Sequence, residues 1–199
     1  MPRPRLHDDA LRDRLLEVTS RVISAEGEAA VTVRGVAAQG GTSASAVYAL
    51  FGSREALVWA VSEEGFRRFG ARLTAVPSTD DPIADLRALG IAYRDSALAD
   101  PHFYRVMFDR AIAPGSDARP ATERGTFLVL RAAVGRVLAM VDPDGVPRAG
   151  EVALALWALV HGLVGLELAG LAPGDEPTRA QRYAATLAAA GPALMRAVA

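Results

Sequence analysis

The sequence predicts an all-α protein in two parts, and three observations support this prediction. Apolar residues recur at helical spacing along most of the chain, and no segment shows the alternation of a strand. Ser, Thr and Asp precede several of these segments and Gly follows them, as helix caps do. Hydrophobic residues make up 51% of the 199 residues, too many for a disordered chain. We expect an N-terminal three-helix domain, residues 1–57, followed by a helical bundle, residues 58–199.

Composition narrows the function classes. The chain has no cysteine, which excludes disulfides, thiolate zinc sites and cysteine catalysis. Its net charge is −1, so any nucleic-acid binding must come from a local surface. The start of the chain lacks the apolar core of a signal peptide, so we expect a cytoplasmic protein. The three histidines lie in different segments without catalytic or metal-binding spacing. We therefore expect neither an enzyme, nor a metal, nor a cofactor.

The first predicted helix runs from Asp8 to Glu26. One face carries a core stripe, and Gly27 ends the helix. The members of the stripe are Leu11, Leu15, Val18 and Val22. Before it, Met1–His7 forms an arm with proline and arginine, which we expect to be mobile.

The next stretch predicts two short helices joined by a glycine turn. Thr32 is placed to cap the first helix and Ser43 the second, which runs from Ala44 to Phe51. Gly40-Gly41 supplies the left-handed residue of the turn. The second helix has a small polar N-terminus and directs Tyr48 outward. This helix-turn-helix has the shape of a module that enters a major groove.

This stretch also resembles a known family. Thr32-Val33-Arg34, Val36-Ala37, Gly41, Ser43, Val47-Tyr48, Phe51 and Arg54-Glu55-Ala56-Leu57 are similar to the N-terminal signature of the tetracycline-repressor (TetR) family. The resemblance implies a DNA-binding regulator. Leu50 departs from the signature at a position that often contacts phosphate, whereas Arg54 keeps the charge of the usual Lys. The residues expected to contact DNA are Arg3, Arg5, Thr32, Arg34, Thr42, Ser43, Ala44, Ser45, Ala46, Tyr48, Ala49 and Arg54.

The remainder of the chain predicts further helices. A helix capped by Ser53 continues to about Val76, so we place the boundary between the two parts inside this fourth helix, where a rigid connector can carry movement. The composition of Ala113–Ala121 predicts a loop. The other helical segments are about Ile83–Ala97, Pro101–Arg110, Thr122–Val141, Ala153–Ala172 and Thr178–Val198.

The segment Ala153–Ala172 is apolar on nearly all sides. It is long enough to cross a membrane, but His161 and Glu167 interrupt it, and no aromatic or basic belts flank it. We instead expect it to be buried against its own domain and against a second subunit. The residues expected at this dimer interface are Ala158, Gly162, Gly165, Ala169, Tyr183, Leu187 and Leu194. The segment also carries Trp157, His161 and Gly162, similar to a Trp-His-Gly subgroup of the family.

The apolar faces of the second part are candidates for a binding pocket, because ligand sites often lie between the helices of a bundle. Helical spacing alone favours an ordinary core for these residues. The resemblance implies an effector pocket, which we expect to hold a small apolar or aromatic ligand. The candidates are Tyr93, Phe103, Met107, Arg110, Phe127, Trp157 and His161.

Two functions follow from these patterns. The first is a homodimeric repressor that a small hydrophobic effector releases from a palindromic DNA operator. The alternative is an all-helical small-molecule or protein-interaction module in which the helix-turn-helix is only structural.

Overall fold

The computed structural model describes residues 5–109 and 125–197, and within these ranges all regular structure is helical. The α-helices are α1 (Arg5–Glu26), α2 (Val33–Gln39), α3 (Ala44–Phe51), α4 (Arg54–Thr74), α5 (Pro82–Ala99), α6 (Pro101–Asp109), α7 (Gly125–Val141), α8 (Ala149–Leu168) and α9 (Glu176–Ala197). Short 3-10 helices span Glu28–Ala30 and Pro143–Arg148. The all-α prediction is confirmed.

The described residues form two compact units. The first contains the chain up to Arg68 together with α6, and the second contains Phe69–Ala99 and α7 to α9. Helix α4 is continuous from Arg54 to Thr74, and the division between the two units falls inside it, after Arg68. The boundary predicted from the sequence also lies inside this helix. The two units nevertheless differ from the expected domains 1–57 and 58–199, because most of α4 and all of α6 belong to the first unit.

The first unit is built around α1. Its predicted stripe is inward: Leu15 and Val18 are almost fully buried, Val22 is buried, and Leu11 packs at the edge. These side chains meet Val36 of α2, Val47 of α3, Leu57 and Val61 of α4, and Phe103 and Val106 of α6. The helix-turn-helix is thus fixed on a dry core, whose apolar burial is the main stabilising contribution.

The second unit contains α5, α7, α8 and α9, which pack on one another. Its central apolar cluster draws Phe127, Val134 and Leu138 from α7 and Val152, Ala153 and Leu156 from α8. An ion pair fixes the start of α5 on α7: Arg136 Nη1 lies 2.7 Å from Oδ2 of Asp85, which also accepts from the backbone N–H of Thr79. The Thr79 N–H bond, followed by the Thr79 hydroxyl and Arg136, lowers the pKa of Asp85.

Several predicted boundaries shift. Helix α1 begins at Arg5 rather than Asp8, so the last part of the expected arm is helical. The turn expected at Asp142–Gly145 is a 3-10 helix. Helix α9 begins at Glu176, two residues before the expected Thr178, and α8 begins at Ala149, earlier than the apolar run suggested. The expected loop Ala113–Ala121 lies outside the described residues.

Candidate DNA-binding surface and effector site

Caps and glycines shape the helix-turn-helix. The Thr32 side chain accepts a hydrogen bond from the Gly35 N–H at 3.1 Å and begins α2, while Ser43 accepts from the Ala46 N–H at 3.2 Å and begins α3. Gly41 has a φ of 66°, a left-handed conformation that favours glycine. Gly40 is needed for a different reason, because a Cβ there would lie 2.6 Å from a methyl of Leu15 on α1. The predicted caps and turn are confirmed.

Helix α3 presents a distinct outer face. Val47 is 1% exposed and anchors the helix in the core, whereas Tyr48 is 53% exposed. Ser45 and Ala49 are also exposed, and Arg34 is exposed on α2. Tyr48 therefore points out of the core, as the sequence predicts. Of the other candidates, Thr32 and Ser43 are exposed, and Thr42, Ala44 and Ala46 are half-buried.

Arg54 requires a correction, because it was expected to contact phosphate. Its Nε donates to the backbone carbonyl of Val31 at 2.7 Å, and its Nη2 donates to the carbonyl of Glu28. Its Nη1 lies 3.7 Å from Glu55. Arg54 thus ties the start of α4 to the segment before α2, and we remove it from the candidate DNA contacts.

The N-terminal candidates cannot be placed on this surface. Arg3 lies outside the described residues. Arg5 is in the first turn of α1, and its side chain is also outside the described part. Both remain predictions.

Four of the effector candidates meet inside the second unit: Tyr93, Phe127, Trp157 and His161. Trp157 Nε1 donates to the Tyr93 hydroxyl at 3.2 Å, and that hydroxyl lies 3.2 Å from His161 Nδ1. Phe127 meets Trp157 edge-on, with ring centroids 6.1 Å apart. Phe69 of α4 meets the Tyr93 ring in the same way at 4.9 Å. These side chains therefore form an aromatic cluster in which hydrogen bonds link Trp157, Tyr93 and His161.

The other effector candidates lie elsewhere. Phe103 belongs to the core of the first unit, where the Arg68 guanidinium lies 4.4 Å above its ring. Met107 packs against Gly65 of the same unit. A Cβ atom added at Gly65 would lie only 2.7 Å from the Met107 side chain. Helical spacing correctly indicates that both residues face inward. It does not indicate that their helix, α6, packs on α1 in the first unit rather than in the second. We remove both from the effector set; Arg110 lies outside the described residues.

A buried charge cluster went unrecognised in the sequence. Arg94 of α5, 4% exposed, holds Glu167 of α8 by two hydrogen bonds of 2.8 and 2.7 Å. Arg179 of α9 donates to the same carboxylate at 3.0 Å. These bonds, those from Arg94 first, lower the pKa of Glu167. Glu167 thereby joins three helices, α5, α8 and α9. The sequence did hold one signal for this cluster: Glu167 is a single acidic residue in an apolar helix, and a buried charge needs a partner.

The expected dimer residues separate into two groups. Ala158, Gly162 and Gly165 of α8 and Ala169 at its C-terminal cap are all exposed, and a Cβ at either glycine would meet no atom within 4 Å. The α9 candidates point into their own chain. Tyr183 is 4% exposed, and its hydroxyl donates to the Gly90 carbonyl at 2.8 Å; burial raises its pKa. Leu187 packs on Gly90, and Leu194 packs on the central cluster. These α9 residues are corrected to intramolecular contacts.

Within residues 5–109 and 125–197, no group of three or more His, Asp or Glu side chains could hold a metal ion. One helical stretch, Pro143–Leu168, is long and apolar enough to cross a membrane by length and composition alone. Its packing against α7 and α9 and the paired Glu167 are typical of a core helix in a helical domain.

Family comparisons bear on both units. Residues 15–61 match the tetR family of bacterial regulatory proteins. Residues 86–190, more than half of the chain, match the tetracyclin repressor-like C-terminal domain. No curated protein sequence matches the chain. The resemblance to a Trp-His-Gly subgroup stays a prediction, because neither match specifies it.

Solved structures share the fold. A protein of unknown function from a Rhodococcus species is 27% identical over 94% of each chain, with a TM-score of 0.71. The TetR family regulator PfmR from Thermus thermophilus is 20% identical over 92% of this chain and 98% of its own, with a TM-score of 0.64. A TetR variant from Acinetobacter baumannii in complex with minocycline is 18% identical over 93% of this chain and 96% of its own, with a TM-score of 0.60. The chain therefore belongs to the TetR family and is a DNA-binding transcriptional regulator rather than an enzyme.

Proposed function

We propose that the chain is a homodimeric repressor that binds a palindromic operator and leaves it when a small apolar or aromatic effector binds. The outer face of α3, with Tyr48 and Ser45 exposed on a helix that Ser43 caps, carries this proposal. Two such helices would occupy successive major grooves about 34 Å apart. Arg34 and Tyr48 would contact phosphates or groove edges and fix the register. We expect the protein to act in the cytoplasm.

Exposed apolar surface on α8 and α9 supports the dimer. On α8, Leu154 and Leu166 are 46% and 50% exposed beside Ala158, Gly162, Gly165 and Ala169. On α9, the small residues Ala185, Ala188, Ala189, Pro192 and Ala193 are exposed at helical spacing. Such surface is costly in water, and small residues let helices approach closely. A two-fold pairing of α8 and α9 would bury it in a four-helix bundle.

The aromatic cluster of the second unit supports the effector site. Phe69, Tyr93, Phe127 and Trp157 offer ring surfaces, and His161 adds a polar group. An effector matched to these groups is largely apolar, with few polar atoms. The charges of Arg94 and Glu167 neutralise each other and are not expected to select a charged ligand. The minocycline complex of the Acinetobacter relative is consistent with a small-molecule effector.

Helix α4 supports a route from effector to operator. Its second part carries Phe69, which packs on Tyr93. Its first part carries Leu57 and Val61, which lie in the core beneath the helix-turn-helix. An effector that displaces Tyr93 would shift α4 and change the separation of the two α3 helices, provided that it binds the two states with different affinity.

Binding of the DNA upstream of its own gene tests the repressor function. Fluorescence anisotropy with that duplex and a scrambled duplex should show preference for the former and affinity that falls steeply with salt. Equal affinity for both duplexes would favour the interaction-module alternative.

Effector binding is measured by tryptophan fluorescence. Apolar and aromatic compounds that release the duplex should quench Trp157 in a Trp59→Phe protein. A compound that releases DNA with equal affinity for the wild type, Trp157→Phe and His161→Ala would place the effector site elsewhere.

A further inference from the structure

The outer face of α3 lacks the side chains that usually read bases. Its centre is Ser45 and Ala49, with Tyr48 on one flank and the half-buried Ala46 on the other. The helix sequence, ASAVYALF, contains no Arg, Lys, Asn, Gln, Asp or Glu. Arg and Lys are the main readers of guanine, and Asn and Gln are those of adenine. Bidentate readout by α3 is therefore excluded by its composition.

The two serine hydroxyls at the start of this helix already hydrogen-bond to each other. Ser43 accepts from the Ala46 N–H at 3.2 Å, and its oxygen lies 2.8 Å from the Ser45 hydroxyl. A single serine hydroxyl can also pair with any base, so it discriminates weakly. Ala44 packs against the core of the first unit. Apart from the Tyr48 ring on the flank, the outward apolar groups are the exposed Ala49 methyl and, three residues before it, the half-buried Ala46 methyl.

We propose that α3 reads its half-site through contacts between the Cβ methyl of Ala49, flanked by Ala46, and the C5-methyl groups of thymines in the major groove. An apolar side chain in van der Waals contact is the usual reader of that methyl. This inference rests on the proposed function, in which α3 enters the major groove. It adds the chemistry of recognition, namely that the operator is recognised at thymines.

Such contacts set the expected size of the effect. Removing one buried methyl from a contact weakens binding by about fourfold. A palindromic duplex presents the same thymine to each protomer, so removal from both half-sites weakens binding by roughly fifteenfold, since separated contacts add.

Deoxyuracil substitution in the operator tests the proposal. The probe is a duplex of about 30 base pairs, roughly three helical turns, that the purified full chain selects from a random library. Each thymine is replaced in turn by deoxyuracil, which keeps the base-pairing edge and loses only the methyl. We expect one thymine in each half-site to give the fourfold loss, and both together about fifteenfold.

A double-mutant cycle assigns the methyl to its partner. Ala49→Gly should weaken the thymine duplex as much as uracil does, and should cost nothing more on the uracil duplex. Glycine loosens any helix, so Ala56→Gly at an exposed position of α4 is the matched control and should leave the uracil effect unchanged. Thermal unfolding confirms that both variants are folded.

Two results with the selected duplex would overturn the proposal. Uracil duplexes that all bind as tightly as the thymine duplex would exclude methyl readout. Equal losses for uracil with wild type and Ala49→Gly would assign the thymine to another residue. A chain that enriches no duplex overturns the proposed function, and this inference with it.

Discussion

Gly162→Leu isolates the proposed dimer interface from the fold of the single chain. Gly162 is an exposed helical residue of α8, and a Cβ there meets nothing within 4 Å. In the isolated chain, leucine would therefore fit and would raise helix propensity by about 0.8 to 1 kcal/mol. Any penalty must come from a partner that packs on this surface.

The penalty follows from two-fold symmetry. Overpacking commonly costs about 1 to 3 kcal/mol per site, and a two-fold axis presents each insertion twice. The dimer should lose about 2 to 6 kcal/mol, which raises its dissociation constant from about 30-fold to more than 10⁴-fold. Operator binding should fall with it, because a single half-site binds weakly.

Sedimentation velocity over a range of concentrations measures this effect, with thermal unfolding of the same samples. Gly125→Leu is the control: Gly125 is the exposed first residue of α7, outside α8 and α9, and it also has open space at its Cβ. We expect a folded monomer for Gly162→Leu and an unchanged dimer for Gly125→Leu. A Gly162→Leu dimer as tight as the wild type would refute the interface.

Four further outcomes are expected. Tyr48→Ala should weaken operator binding by about 1 to 2 kcal/mol without changing thermal stability, and full affinity would remove Tyr48 from the interface. Arg54→Ala should lower unfolding stability, because two backbone carbonyls lose a charged donor, and leave the salt dependence of DNA binding unchanged. Trp157→Phe should weaken effector binding in a fluorescence titration while operator affinity stays unchanged. Glu167 has a lowered pKa in the folded state, so its contribution to stability is present above about pH 4.3 and lost as pH falls further; urea unfolding of Glu167→Gln should show a smaller acid-induced loss.

Local signals predicted the helix-turn-helix well. Thr32 and Ser43 act through their own neighbouring backbone, and Gly41 acts through its own φ, so each effect is contained in the sequence around it. The buried stripe of α1 was also predicted correctly, because the spacing of its apolar residues specifies which side chains face inward.

Contacts between residues far apart in the sequence could not be predicted from such local signals. Arg54 contacts carbonyls more than twenty residues away, and Arg94 contacts Glu167 across more than seventy, so neither partner could be read from spacing. Phe103 has the same inward helical pattern as Tyr93, yet the two lie in different units. Periodicity reports that a side chain is inward but not which core it enters.

The stoichiometry and affinity of operator binding test the central claim most directly. The full chain is titrated against two duplexes of equal length, one with both half-sites of the selected operator and one with a single half-site scrambled. We predict two protomers on the intact duplex by native mass spectrometry, and affinity for the scrambled duplex at least about 100-fold lower, within the range between specific and non-specific binding. One protomer per duplex, or equal affinity for both, would contradict a dimer that reads a palindrome through paired α3 helices.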